Sequence, residues 1–102
     1  MKTLIIIPTL NESKNIEKLV YKIFKNSKLK ILVIDDNSKD GTINILNQLK
    51  KKFVNFNFKV RKKKKGLGSA HLEGISYGYK KKFNFCLTLD ADGTHNPKDI
   101  KK

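Results

Sequence analysis

Two short apolar runs lie in the first third of the chain, Leu4-Ile5-Ile6-Ile7 and Ile31-Leu32-Val33-Ile34. Both are continuous and rich in β-branched residues. Strands buried on both faces read this way, whereas strands with one wet face alternate. Pro8 is expected to end the first strand. Asn11 is a good N-cap, and Ile16, Leu19, Val20, Ile23 and Phe24 then recur at helical spacing. Asn26-Ser27 breaks that helix. The second strand runs into Asp35-Asp36-Asn37-Ser38, where Ser38 or Asp40 can cap a helix with Thr42, Ile45, Leu46, Leu49 and Phe53 inward. Phe56, Phe58 and Val60 alternate with Asn57, Lys59 and Arg61, the period of a half-exposed edge strand. Gly66-Leu67-Gly68-Ser69 opens a third helix with Leu72, Ile75 and Tyr79 on its inner face. Gly74 and Gly78 count against that helix, because glycine costs helix stability. Phe83 to Leu89 reads as a fourth, buried strand, and Pro97 can start a last helix.

The order β-α-β-α-β-α-β predicts an α/β fold of three layers, a parallel sheet with helices on both faces. Residues 1–102 are enough for one domain with one core. Ligands of such sheets bind outside the carboxyl ends of the strands. The fourth strand delivers Asp90 and Asp92 to that edge. Two close carboxylates resist joint ionisation unless a cation lies between them. A divalent metal held by one or two carboxylates commonly completes its shell with substrate phosphates. The pattern therefore points to a metal and a diphosphate.

Charge alters this picture only slightly. Lys+Arg number 23 against 9 Asp+Glu, a net charge of +14. That balance favours anionic partners, although most of the lysines read as a solvated coat. The basic runs are not interleaved with aromatics, so a single-strand stacking platform is not expected. Cys86 is the only cysteine, which excludes an internal disulfide and a cysteine-rich zinc site. In an apolar strand it reads as a buried, inert thiol. The first apolar run is too short for a signal-peptide core, and no stretch approaches a membrane span.

Four segments on the expected functional edge carry a resemblance: Pro8-Thr9-Leu10-Asn11-Glu12, Asp35 to Thr42, Lys65-Gly66-Leu67-Gly68-Ser69-Ala70, and Asp90-Ala91-Asp92. In order and spacing they resemble family 2 glycosyltransferases of the GT-A fold, and most of all the dolichol- and polyprenol-phosphate mannosyltransferases. The resemblance implies a Rossmann-like, nucleotide-binding half of that fold. It implies that Pro8, Thr9, Asn11 and Glu12 belong to the nucleotide cradle. Asp36 would accept from the base N–H groups, and Asp35 would orient the loop. Gly66 and Gly68 would bring backbone N–H groups to an anion at a helix N-terminus, with Lys65 adding charge. Asp90 and Asp92 would hold Mg²⁺ or Mn²⁺, and Thr94 takes the place of a further ligand that is often glutamine in relatives. His95 reads as structural.

The implied reaction is inverting transfer of a sugar from a GDP- or UDP-sugar, GDP-mannose first, to a polyprenyl or dolichyl phosphate or another glycan acceptor. The metal would offset charge on the departing diphosphate. Relatives carry a second half that supplies the acceptor site, so the chain is expected to be the donor-binding part: a fragment, one piece of a split enzyme completed by a second polypeptide, or a degenerate donor-binding half. A cytoplasmic setting, peripheral at the inner face of a membrane, goes with such an acceptor. Two other readings stay open at this point. Phe85 to Thr94 also resembles the opening motif of haloacid-dehalogenase-type phosphatases, with Asp90 as nucleophile and Asp92 as acid/base. A basic α/β module that binds nucleic acid, the less favoured partner, would show steep salt dependence.

Overall fold

The apolar runs form the centre of a sheet, and the polar segments between them gather at one edge. The computed structural model describes residues 2–27, 29–62 and 66–91. Along it lie β1 (Thr3–Thr9), α1 (Ile16–Asn26), β2 (Lys30–Asp35), α2 (Thr42–Lys52), β3 (Phe56–Val60), α3 (Leu67–Lys80) and β4 (Phe85–Thr88). The strands pair in parallel in the order β3-β2-β1-β4. Ile5 sits beside Ile31 on one side and Leu87 on the other. Ile5, Ile7, Ile31 and Val33 pack under α1 and α2, while Leu4, Ile6, Leu32 and Ile34 pack under α3. The continuous apolar runs are thus central strands covered on both faces, as the pattern predicts. Among the described residues β3 is an edge strand, also as predicted.

Four expectations are corrected. Pro8 does not end β1 but lies inside it, beside Ile34. The Ile6 carbonyl accepts from the Leu89 N–H. Pro8, two residues on, faces the same way, past the last β1–β4 pair at Ile6 and Thr88. No ladder donor is missed there. Asn11 does not cap α1. It takes a left-handed conformation, φ 56°, and the helix starts later, after Asn15, with the Ile16 N–H bonded to the Glu12 carbonyl.

The third correction concerns α3. Its large apolar residues Leu72 and Tyr79 are 69% and 85% exposed, and Ile75 is exposed as well. The inner face is instead Ala70, Gly74 and Gly78, with Tyr77 beside them. A Cβ on Gly74 would collide with Ile6, and one on Gly78 with the Cys86 sulfur. The glycines that weaken the helix in isolation are what lets it lie close on the sheet. The fourth correction is β4, an edge strand with Phe85 and Leu87 exposed. Its apolar run matches a covered strand, but among the described residues nothing pairs on its outer side.

Cys86 is half-buried under α3, and burial pushes its thiol above the ordinary value. Thiol reagents are expected to label it slowly in the folded protein and quickly in denaturant. Fast labelling at neutral pH would mean that α3 does not seat over β4.

Candidate functional site

β1 connects through α1 to β2 on one side, and β4 lies on the other. The strand order therefore reverses between β1 and β4, and ligands of open α/β sheets bind at the carboxyl edge of such a switch point. At that edge stand the ends of β1 (Thr9 to Glu12) and of β4 (Leu89, Asp90), with the β2–α2 and β3–α3 loops beside them.

The β1 and β2 loops are laced together. Asp35, fully buried, accepts from the Thr9 hydroxyl at 2.5 Å, from the Ser38 hydroxyl at 2.6 Å and from the Ser38 N–H at 2.8 Å. The Asn11 N–H donates to Ser38 Oγ, and the Asn11 side-chain oxygen accepts from the Lys39 N–H. The Glu12 N–H donates to Thr42 Oγ1, and the Ser13 N–H to Asp40. Asp40 also accepts from the Thr42 N–H at the start of α2, and chiefly the Thr42 hydroxyl holds its carboxyl far below the usual range. Pro8, Thr9 and Asp35 are buried, whereas Asn11 and Glu12 reach the surface.

Asp36 is buried too and serves the third loop. Its Oδ1 accepts from Arg61 Nε at 2.6 Å, and its Oδ2 from the Gly66 N–H at 3.1 Å. Arg61 continues to the Ser69 hydroxyl and the Gly66 carbonyl, both at 2.9 Å. Its hydrogen bond to Asp36 raises it further above its ordinary value, so it is charged throughout. Glu73 lies 3.5 Å from Arg61 and 2.8 Å from Lys59. Lys59 first, then Arg61, holds the Glu73 carboxyl below its ordinary 4.5. A depressed folded-state value means stability that is present above the ordinary value and lost as pH falls through the lowered one. Glu73→Gln is therefore expected to lower stability above pH 4.5, where the paired charge contributes, and to converge on the wild type as pH falls, so that the acid limb of the stability curve is flatter. An unaltered acid limb in a pH series of thermal melts would contradict this.

Gly66, exposed, has φ +88°, a conformation that L side chains rarely adopt, and starts α3 with no side-chain cap. The first-turn N–H groups of a helix have no intrahelical acceptor. Gly68 is exposed in that same turn. Asp90 is half exposed, and its Oδ1 lies 3.9 Å from His71 Nε2. His71 Nδ1 is buried, with no hydrogen-bond partner among the described residues. Asp92, Thr94 and Lys65 lie outside the described residues, and so does His95. Among the described residues no three His, Cys, Asp or Glu side chains gather into a metal site. Of the acids expected to hold a hard cation, Asp90 is described, and it reaches the surface at this edge. Carboxylate oxygens of this kind suit Mg²⁺ or Mn²⁺.

The sequence pattern placed Arg61 on a wet face and missed its role. A signal was present, since it is the only arginine among 23 basic residues. His71 was missed as well, because nothing in its helical spacing marks it.

The family model of glycosyl transferase family 2 matches residues 4–102. The chain belongs to that family. It is 34% identical over 103 residues to the polyprenol monophosphomannose synthase of Mycolicibacterium smegmatis, which covers 99% of this chain and 39% of that protein. It is also 34% identical over 110 residues to the UDP-N-acetylglucosamine–dolichyl-phosphate N-acetylglucosaminyltransferase of Methanococcus voltae, covering 96% and 44%. The family 2 chain thus spans about two fifths of these relatives' lengths. Among solved structures it superposes on S. aureus TarS with a TM-score of 0.71 at 25% identity, over 90% of this chain and 17% of TarS. The Pyrobaculum calidifontis mannosyltransferase PcManGT, solved with GDP-Man and Mn²⁺, gives 0.66 at 22% identity over 74% and 24%. These likenesses place the sheet and its helices in the GT-A fold. Among the described residues no helix is long and apolar enough to cross a membrane.

Proposed function

We propose that this chain is the donor-binding part of a glycosyltransferase that moves a sugar from a nucleotide diphosphate to a polyprenyl or dolichyl phosphate. One observation carries the reading. The chain matches its family from residue 4 onward, and its own folding brings the β1, β2 and β3 loops and Asp90 to the switch-point edge. The family match spans all four segments, which leaves the phosphatase and nucleic-acid readings without support of their own.

In this reading Asn11 and Glu12 meet the nucleoside, and Asp35 and Asp36 hold the loops that shape its pocket. The first-turn N–H groups of α3 face the anionic diphosphate. Asp90 and Asp92 would hold Mg²⁺ or Mn²⁺, which supplies positive charge against the leaving diphosphate. An acceptor phosphate is already anionic and needs little help from a general base. GDP-mannose is the first candidate donor, because the mycobacterial relative is a phosphomannose synthase. The archaeal relative makes a UDP-sugar the second. The lysine-rich surface suits an anionic leaflet that carries the acceptor.

Titration calorimetry with GDP-mannose and UDP-N-acetylglucosamine tests the proposal. One of them is expected to bind in the presence of Mn²⁺, and Asp92→Ala to weaken that binding at least tenfold. Equal binding with and without the metal, unaffected by Asp92→Ala, would contradict it.

A further inference from the structure

Arg61 is the least expected side chain in the molecule. Its side chain is 3% exposed, and that of its partner Asp36 is 1% exposed. It lies one residue past β3, on the face of that strand turned to α3. Lys59 shares that face, pairs with Glu73 of α3 and is 64% exposed. The guanidinium uses all three of its nitrogens: Nε on Asp36, Nη1 on Ser69 Oγ and Nη2 on the Gly66 carbonyl. Asp36 in turn takes the Gly66 N–H. Both backbone polar groups of Gly66 are therefore held by one buried ion pair. The direction in which the following N–H groups of α3 point is fixed by that grip.

We infer that Arg61 is a positioning residue for donor binding. It sets the glycine turn at the start of α3 against the β2 loop, so that the diphosphate meets an ordered anion-binding turn. The inference rests on the donor-site reading proposed above. Lysine cannot substitute, because a single ammonium lacks the planar fork that serves three acceptors in fixed directions. The sequence is consistent with such selection. Lysine fills every other basic position of the chain, and the one arginine stands where a fork is needed.

The test compares the wild-type chain with Arg61→Lys, which keeps the charge, and with Ser69→Ala, which removes one acceptor and leaves the ion pair. Two readouts are taken: amide hydrogen exchange across residues 66–70, and affinity for GDP and UDP with Mn²⁺. In Arg61→Lys, exchange across the turn is expected to rise at least tenfold while β1 and β2 keep their protection, and affinity to fall at least tenfold. Ser69→Ala should move both readouts in the same direction by a few-fold, and it answers the question if the lysine variant does not fold. Unchanged exchange, or faster exchange with unchanged affinity, beside normal wild-type binding overturns the positioning role alone. A wild-type chain that binds neither nucleotide overturns the donor reading and this role with it.

Discussion

Asp36→Ala is expected to destabilise the domain by about 3–5 kcal/mol, because it leaves the buried Arg61 guanidinium without its counter-charge. For a domain of this size that is a drop of more than about 12 °C in melting temperature. Breaking one partner of a buried pair costs far more than the pair itself contributes. A double variant with leucine for Asp36 and methionine for Arg61 should therefore recover most of the loss. It should not recover nucleotide binding, since neither apolar side chain can hold Gly66. Thermal or urea unfolding of the two variants checks the first claim. A loss below about 1 kcal/mol for Asp36→Ala would mean that the pair behaves as a surface ion pair.

Gly74→Ala is the second large effect, and its sign is diagnostic. Helix propensity alone predicts that alanine stabilises α3 by about 1 kcal/mol. Packing predicts the opposite. The new Cβ would overlap Ile6, a fully buried, β-branched residue of a central strand, whose Cγ1 would be 2.9 Å away. Those are the near atoms of a stiff side chain, so relief requires α3 to lift. Overpacking of this kind costs about 1–3 kcal/mol, and a net loss of stability is expected. Chemical denaturation decides the matter: a stabilised Gly74→Ala would contradict the close seating of α3.

These two sites also mark where the sequence was and was not readable. The central strands were plain because burial on both faces leaves an unbroken apolar run. The parallel sheet with helices on both faces followed from helical crossovers. α3 was legible as a helix but not in its orientation. Periodicity weighs large side chains, and here the contact face is defined by their absence at Gly74 and Gly78, which leaves Leu72, Ile75 and Tyr79 outside. β4 was read as buried because its residues are apolar, yet burial depends on neighbours that its own composition does not encode. At the site, the segments expected as loops are so only in part: Pro8 and Thr9 belong to β1, Asp35 to β2, and Leu67 to Ala70 to α3. What a single sequence could not separate was the acid that holds the frame from the acid that reaches outward. Asp35 and Asp36 are enclosed by Thr9, Ser38, Arg61 and Gly66, while Asp90 stays half exposed. Arg61 was hidden by its own strand: period two put it beside Asn57 and Lys59, and only the position of α3 distinguishes it from them.

The central claim is that one edge of the sheet receives a nucleotide diphosphate. Backbone amide chemical shifts of the labelled chain, followed by NMR as GDP or UDP is added with Mg²⁺, test it most directly. The account predicts shifts confined to residues 9–13, 36–42, 66–71 and 89–91, the four segments at the carboxyl ends of the strands. Shifts gathered instead around Lys2, Lys30 and Phe83 at the opposite edge, or no shifts at all, would contradict it.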